Sequence, residues 1–357
     1  MLSTAHDVAD GRLFRLVEAM QRVGLAVEVI GRGDPTDGPP GASVRTRPRA
    51  GRFGRALDAV RLPLAARGRV LVTLTPDPLP AAALRRLLRR GPYVADCQED
   101  YLALLSDRSW ASGGTGVVAR GVARAAVALA GRADLTVVAD DHVPPLRARH
   151  RLVVVNLPSG GYLPPPADPE PAPRALYVGD VRRSRGLRTM LAAVEAAPRW
   201  QLDVVGPVSA EDQPWLDGWL ASSPAAGRVR IHGRRPPREA WALAAGAWVG
   251  LALLDATPAF AAAIPSKVYE YFECGLPTLV TPLPRAAALV EQAGAGRVVA
   301  DAAAAARALE EYAEHPELHA AHRSAALAWA RTRAEQPSPY DELARQVAAL
   351  AAGGRAR

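Results

Sequence analysis

Short apolar runs alternate with amphipathic helical stretches along almost the whole chain, and one proline- and glycine-rich segment cuts that alternation in two. Such alternation is the signature of parallel α/β layers, in which helices cover sheets whose strands are apolar on both faces. In the first series, residues 11–24 read as a helix with Leu13, Leu16, Val17 and Met20 on one face. Residues 27–30 read as a strand stopped by Gly31 and Gly33, and 70–74, 93–96, 135–138 and 152–155 as further strands. The stretch LPSGGYLPPPADPEPAPR after Asn156 reads as a hinge. A second series follows, with strands at 175–178, 202–205, 229–232, 249–253 and 278–280 and helices at 187–196, 239–245 and 267–273. From Asp301 the alanine-rich tail reads as helical throughout, and 340–350 is a candidate to cross back to the first domain. No repeat of solenoid period is present. One expected piece is short: only Met1–Ser3 precede His6, so the strand that should feed the first helix is expected to begin upstream of Met1.

A chain of 357 residues suits two domains, and 49 % hydrophobic with 22 % charged residues is a globular composition. No apolar run reaches the ~18 residues of a membrane-spanning helix, and no basic stretch leads into an apolar core as in a signal peptide. Cys97 and Cys274 lie far apart in separate motifs, which fits a reduced cytoplasm with neither a disulfide framework nor a zinc pattern. Of 44 basic residues, Lys267 is the sole lysine, and Asn156 is the sole asparagine, as in a chain encoded by GC-rich codons. A lysine that survives such pressure is a candidate for work that needs a compact ammonium; chance survival is the plain alternative. Charge is also uneven. Residues 1–157 hold 23 basic and 15 acidic side chains, a net of +8, whereas 158–357 hold 21 of each, so the excess points to an anionic partner of the first half.

The richest chemistry lies in IPSKVYEYFECGLPTLVTPLP, residues 264–284. Pro265 and Ser266 open a helix whose free N–H groups and positive dipole suit a phosphate. Lys267 lies in its first turn, and Glu270, three residues on, can accept hydrogen bonds from a ribose diol. An ordinary surface Lys–Glu pair is the competing reading. This segment resembles the donor-binding motif of glycosyltransferase family 4, in the form P-x-K-x-x-E-Y-x-x-x-G-x-P. Four further segments resemble that family in order: HDVADGR with His6, Asp10 and Arg12; VADCQEDY with Asp96, Gln98 and Glu99; LVVVNLP; and ALYVGDVRRSRGLRTML from Gly179 through Arg185.

The resemblance implies two Rossmann-like, doubly wound domains (the GT-B architecture) with a cleft between them. The expected division is 1–157 on the acceptor side, 158–335 for the nucleotide sugar, and 336–357 as the returning helix. It implies an anomer-retaining sugar transfer from a nucleotide-diphosphate sugar, with no metal and no cofactor. Arg185 and Lys267 match the positions that stabilise the leaving diphosphate. Gly179, Arg182, Arg183, Ser266 and Glu270 complete the donor side, although a solvated arginine turn is the plainer reading of 182–185. The acceptor or sugar side falls to His6, Asp10, Arg12, Asp96, Gln98 and Glu99, with His6 as a mere helix-entry residue left open. Base recognition is expected near 229–235. Three departures bear on sugar preference and activity: Ala262 where the family often has glutamate, Asp180 where a basic residue often follows the glycine, and Gln98 in place of histidine.

Residues 45–69 hold eight arginines against Asp58 alone, with Phe53, Ala56, Leu57, Val60 and Leu64 at helical spacing. This reads either as a basic amphipathic helix for an anionic membrane surface, joined by RRLLRR at 85–90, or as a solvated face over a core stripe. Nucleic acid fits poorly, since aromatics are 5 % and no binding module is recognisable. The expected protein is a cytoplasmic transferase, peripheral to the inner membrane face in the first of those readings. Its acceptor is a glycan, a lipid-linked sugar or a small polar molecule. An epimerase or hydrolase of the same form and a non-catalytic nucleotide-sugar-binding scaffold are the rival readings.

Overall fold

The computed structural model describes residues 1–48, 51–88, 90–106, 113–158, 162–258 and 260–353. Two units divide the chain: Met1–Asn156 with Pro337–Arg357, and Leu157–Gln336. The 159–161 part of the expected hinge and positions 49, 50 and 89 of the basic stretches lie outside the described residues.

The first unit is built on seven parallel strands: β1 (Leu2–Asp7), β2 (Glu28–Arg32), β3 (Ser43–Thr46), β4 (Leu71–Thr73), β5 (Tyr93–Cys97), β6 (Leu135–Val138) and β7 (Arg151–Val153). They lie in the order β3-β2-β1-β4-β5-β6-β7, so the winding reverses between β1 and β4, the place where such sheets open a crevice. A strand that feeds α1 is therefore present within residues 2–7, where the sequence reading counted only Met1–Ser3. It runs through His6 to Asp7, and Thr4, Ala5, His6 and Asp7 lack the apolar run by which a strand is recognised. Also missed was β3, whose residues are alternately half-buried and exposed at the sheet edge.

Helix α1 (Gly11–Arg22) starts because the Asp10 carboxylate accepts from the N–H groups of Arg12 and Leu13. Its apolar stripe of Leu13, Leu16, Val17 and Met20 is buried against the sheet, worth about 1.5–3 kcal/mol for each large side chain. The other crossovers use α2 (Arg52–Ala65), α3 (Leu79–Leu87), α4 (Tyr101–Ser106) and α5 (Gly113–Ala130).

The second unit repeats the plan with six parallel strands, β8 (Arg174–Val178), β9 (Gln201–Val205), β10 (Val229–Gly233), β11 (Val249–Ala252), β12 (Thr278–Val280) and β13 (Gly296–Val298). Their order is β10-β9-β8-β11-β12-β13, with the reversal between β8 and β11. Helices α6 (Leu187–Ala196), α7 (Gln213–Ser222), α8 (Pro237–Ala242), α9 (Ser266–Glu273) and α10 (Pro284–Ala293) connect them. The chain thus has two Rossmann-like doubly wound domains, as expected. Gly250 is fixed by packing: a Cβ there would sit 2.3 Å from the Tyr271 ring, so only glycine lets α9 lie this close to β11.

The tail is not one helix but three, α11 (Ala302–Glu314), α12 (Pro316–Ala334) and α13 (Pro339–Ala351), broken before Pro316 and Pro339, where proline opens the next helix. Helix α13 belongs to the first unit: Tyr340, Leu343, Val347 and Leu350 share one buried cluster with the stripe of α1. The segment read as hinge is partly docked, since Tyr162 is buried in the second unit beside Trp241 and Tyr271.

Candidate functional site

In the second unit the candidate residues gather where β8 and β11 diverge. Gly179 follows β8 with φ +137°, and the Lys267 ammonium lies 3.0 Å from the position a Cβ would take there. A side chain at this position would fill the space in front of Lys267. After Gly179 the chain makes a 3-10 turn at Arg183–Arg185 and enters α6 through Gly186, φ +87°. A Cβ on Gly186 would lie 2.1 Å from the carbonyl oxygen of Leu253, so this glycine lets the arginine turn rest on the end of β11.

Lys267 is 6 % exposed, and its ammonium has no hydrogen-bond partner among the described residues. Nζ stands 3.6 Å from the centroid of the Tyr177 ring, a cation–π contact that favours the charged form. Burial pushes its pKa well below the ordinary lysine value, and the charge of Arg185 pushes the same way. Glu270 and Asp180 act in the opposite sense without restoring it. An ammonium without a partner, beside a second cation and under a glycine, is a place for an anion. Helix α9 adds to it: Pro265 caps the helix with no side-chain hydrogen bond, and so leaves N–H groups of its first turn open to a ligand.

Three tyrosines set this geometry, and the sequence reading assigned a role to none of them. The Tyr162 hydroxyl donates to Glu270, a buried carboxylate, and fixes it on the face of α9 that carries Lys267. Tyr177 is the floor under Lys267. The Tyr271 hydroxyl accepts from the Val178 N–H at 3.2 Å and donates toward the carbonyls of Leu176 and Leu251 at 3.1 and 3.2 Å. It thereby pins α9 across β8 and β11. Tyr162 sits in a proline-rich stretch and Tyr177 in a strand, where residue type carries no site signal.

The other expected donor residues fall as follows. Ser266 opens α9 and is half-buried. Arg182 pairs with Asp180 at 3.1 Å, so the acid that departs from the family pattern occupies this arginine. Arg183 is exposed, its N–H held by Asp212 at 3.0 Å. Arg185 lies with its guanidinium 5.7 Å from the Phe260 ring centroid and is the arginine whose charge reaches Lys267. The Ala262 carbonyl accepts from Arg285 at 2.9 Å. Residues 229–235 comprise β10 and the two residues after it; Gly233 accepts from the Gly206 N–H at 2.8 Å and His232 Nε2 lies 2.7 Å from the buried Asp203.

In the first unit the expected acceptor-side residues make the following contacts. The Asp10 carboxylate is the cap of α1. Arg12 and Asp96, 2 % and 3 % exposed, close a bidentate pair at 2.9 and 2.6 Å. Arg12 also donates to the Val154 carbonyl and to Asn156 Oδ1, so its donors are used within the fold. Asn156 Oδ1 further accepts from Arg15 at 3.0 Å and from Tyr340 at 3.2 Å. The sole asparagine is thus the knot that ties α1, β7 and α13 together, and Asp10, Arg12 and Asp96 each carry hydrogen bonds within the fold. Gln98 donates to Asp96 at 3.3 Å, Glu99 is exposed, and His6 ends up on β1, half-buried, with its Nδ1 unpartnered. It is a strand residue, not the helix-entry residue of the competing reading.

Residues 182–348 match the family model described as glycosyl transferase-like. No curated protein matches the sequence. Among solved structures, sucrose-phosphate synthase from Thermosynechococcus elongatus is similar with a TM-score of 0.71 and 17 % identity, over 95 % of this chain and 92 % of that one. HepE from Anabaena, solved with UDP-glucose, gives a TM-score of 0.68 and 16 % identity over 99 % and 98 %. WaaG, a glycosyltransferase of lipopolysaccharide biosynthesis, gives 0.59 and 17 % over 95 % of each chain. These structures share the GT-B architecture of this chain, and the family match marks it as an enzyme of the glycosyltransferase type.

Proposed function

We propose that the chain transfers a sugar, with retention at the anomeric carbon and without a metal, from a nucleotide-diphosphate sugar to a polar glycan or lipid-linked acceptor. The unpartnered Lys267 ammonium between Gly179, Tyr177 and Arg185 carries this reading. In it, Lys267, Arg185 and the first-turn N–H groups of α9 hold the diphosphate and take up the charge that develops as the sugar departs. Glu270, oriented by Tyr162, accepts from the ribose hydroxyls. Backbone and side chains at 229–235 meet the base. The HepE structures with UDP and with UDP-glucose support starting from uridine nucleotides.

The test is a metal-free thermal-shift screen of UDP, GDP, ADP and their sugars. One nucleotide is expected to stabilise the chain, by about 2.7 kcal/mol at a hundredfold excess over Kd. Lys267→Ala is expected to abolish the shift, and Lys267→Arg to reduce it, because a planar fork does not fit where a point charge is enclosed. Equal shifts in both variants and the parent would sink the assignment.

A further inference from the structure

Ten large apolar side chains are exposed among the described residues, all in the first unit, and eight of them sit on α2, α3 and α5 or at their ends. Phe53 is 94 % exposed, Leu87 79 %, and Val117 and Val122 64 % each. Helix α3 packs between α2 and α5, so the three form one continuous outer layer. The same layer is basic. Arg61, Arg90, Arg120 and Arg124 are exposed on it, together with Arg55 and Arg86, which pair with Asp77 and Asp134 at its edges. Its one carboxylate, Asp58 on α2, is buried and paired with Arg32 at 3.0 Å. No exposed acid interrupts these helices.

We propose that the α2–α3–α5 face is the surface by which this chain docks on an anionic lipid bilayer. Exposed phenylalanine and leucine among arginines, on helices that carry no exposed acid, match an interface whose headgroups are negative and whose edge is apolar. The surface differs from the basic stretch 45–69 expected from sequence. Arg45 pairs with Glu28 and Arg47 with Asp58, whereas α3 and α5 supply five of the eight exposed apolar groups on this face. Among the described residues no helix is long and apolar enough to cross a membrane, so contact is along this face. The inference does not depend on the donor site, which lies in the other unit.

The test uses the full chain with vesicles of phosphatidylcholine alone or enriched in phosphatidylglycerol. Sedimentation with the anionic vesicles only, weakened by salt, is expected. Phe53→Gln with Leu87→Gln, both at exposed positions, is expected to lower binding roughly tenfold, and Arg61→Glu with Arg124→Glu to lower it at least as much. Both native thiols are buried, so an environment-sensitive dye on Leu87→Cys reports this face alone; its emission should shift blue with anionic vesicles. The same dye on Leu146→Cys, exposed but outside these helices, should not shift. No binding to either vesicle overturns the proposal. So does a chain that dimerises in lipid-free buffer and becomes monomeric in the Phe53/Leu87 variant, since the face would then be covered by a second copy.

Discussion

Lys267 sits where an ammonium is costly: enclosed, unpartnered and next to another cation. A structural lysine would have been neutralised by a carboxylate or turned to solvent, whereas a lysine waiting for an anion is left in this condition. Glu270 lies three positions along the same helix and does not form that pair; its carboxylate is engaged by Tyr162. In the proposed reading Tyr162 is a positioning residue for the contact of Glu270 with the ribose. Tyr162→Phe is expected to weaken nucleotide binding about tenfold, the scale of one hydrogen bond to a charged group, with the melting temperature of the free protein nearly unchanged. An unchanged affinity, measured by titration, would remove Tyr162 from the site. At this scale rarity was the readable signal in the sequence. Lys267 stood out as the sole lysine, and Asn156 as the sole asparagine, although its task proved architectural. The pairing of Arg12 with Asp96 was not legible, because a motif match gives position in the chain, not whether the groups satisfy each other.

Helix α9 is the element on which the proposed donor site stands. Its place is set by Tyr271 hydrogen bonds to β8 and β11 and by the bare backbone of Gly250 beneath that ring. Gly250→Ala is expected to force α9 away from the sheet. That would cost about 1–3 kcal/mol of stability through overpacking, and nucleotide affinity more than tenfold, because Lys267 and Glu270 move together. Parent-like melting and binding would mean that the helix is not held as described. The strand–helix series that places α9 was legible because buried parallel strands are apolar runs bounded by turn residues. The exceptions have physical causes. β1 carries polar residues at its end, where the winding reverses; β3 and β13 are edge strands of three or four residues. The exposed apolar layer of α2, α3 and α5 was legible only as helical spacing, since spacing cannot tell which face meets water.

Across the whole molecule, chemistry and charge are divided. The second unit holds the lysine, the arginine turn and the glutamate on one sheet's switch point; the first holds the excess of basic side chains and the apolar layer. The central claim is that the lone lysine meets a diphosphate. It has a signature visible in the intact protein. Because burial and Arg185 lower the Lys267 pKa in the free state, a bound diphosphate must raise it again, and binding then takes up a proton. Affinity should fall as pH climbs from the depressed free-state value toward the raised bound-state value, approaching about tenfold per pH unit. The measurement is a calorimetric titration of the binding nucleoside diphosphate, in two buffers of different ionisation enthalpy, over neutral to alkaline pH, with the parent chain and Lys267→Met. The account predicts proton uptake and pH-dependent affinity in the parent, and loss of both binding and uptake in the variant. Equal affinity in the two proteins, or parent binding with no proton uptake at any of those pH values, would contradict it.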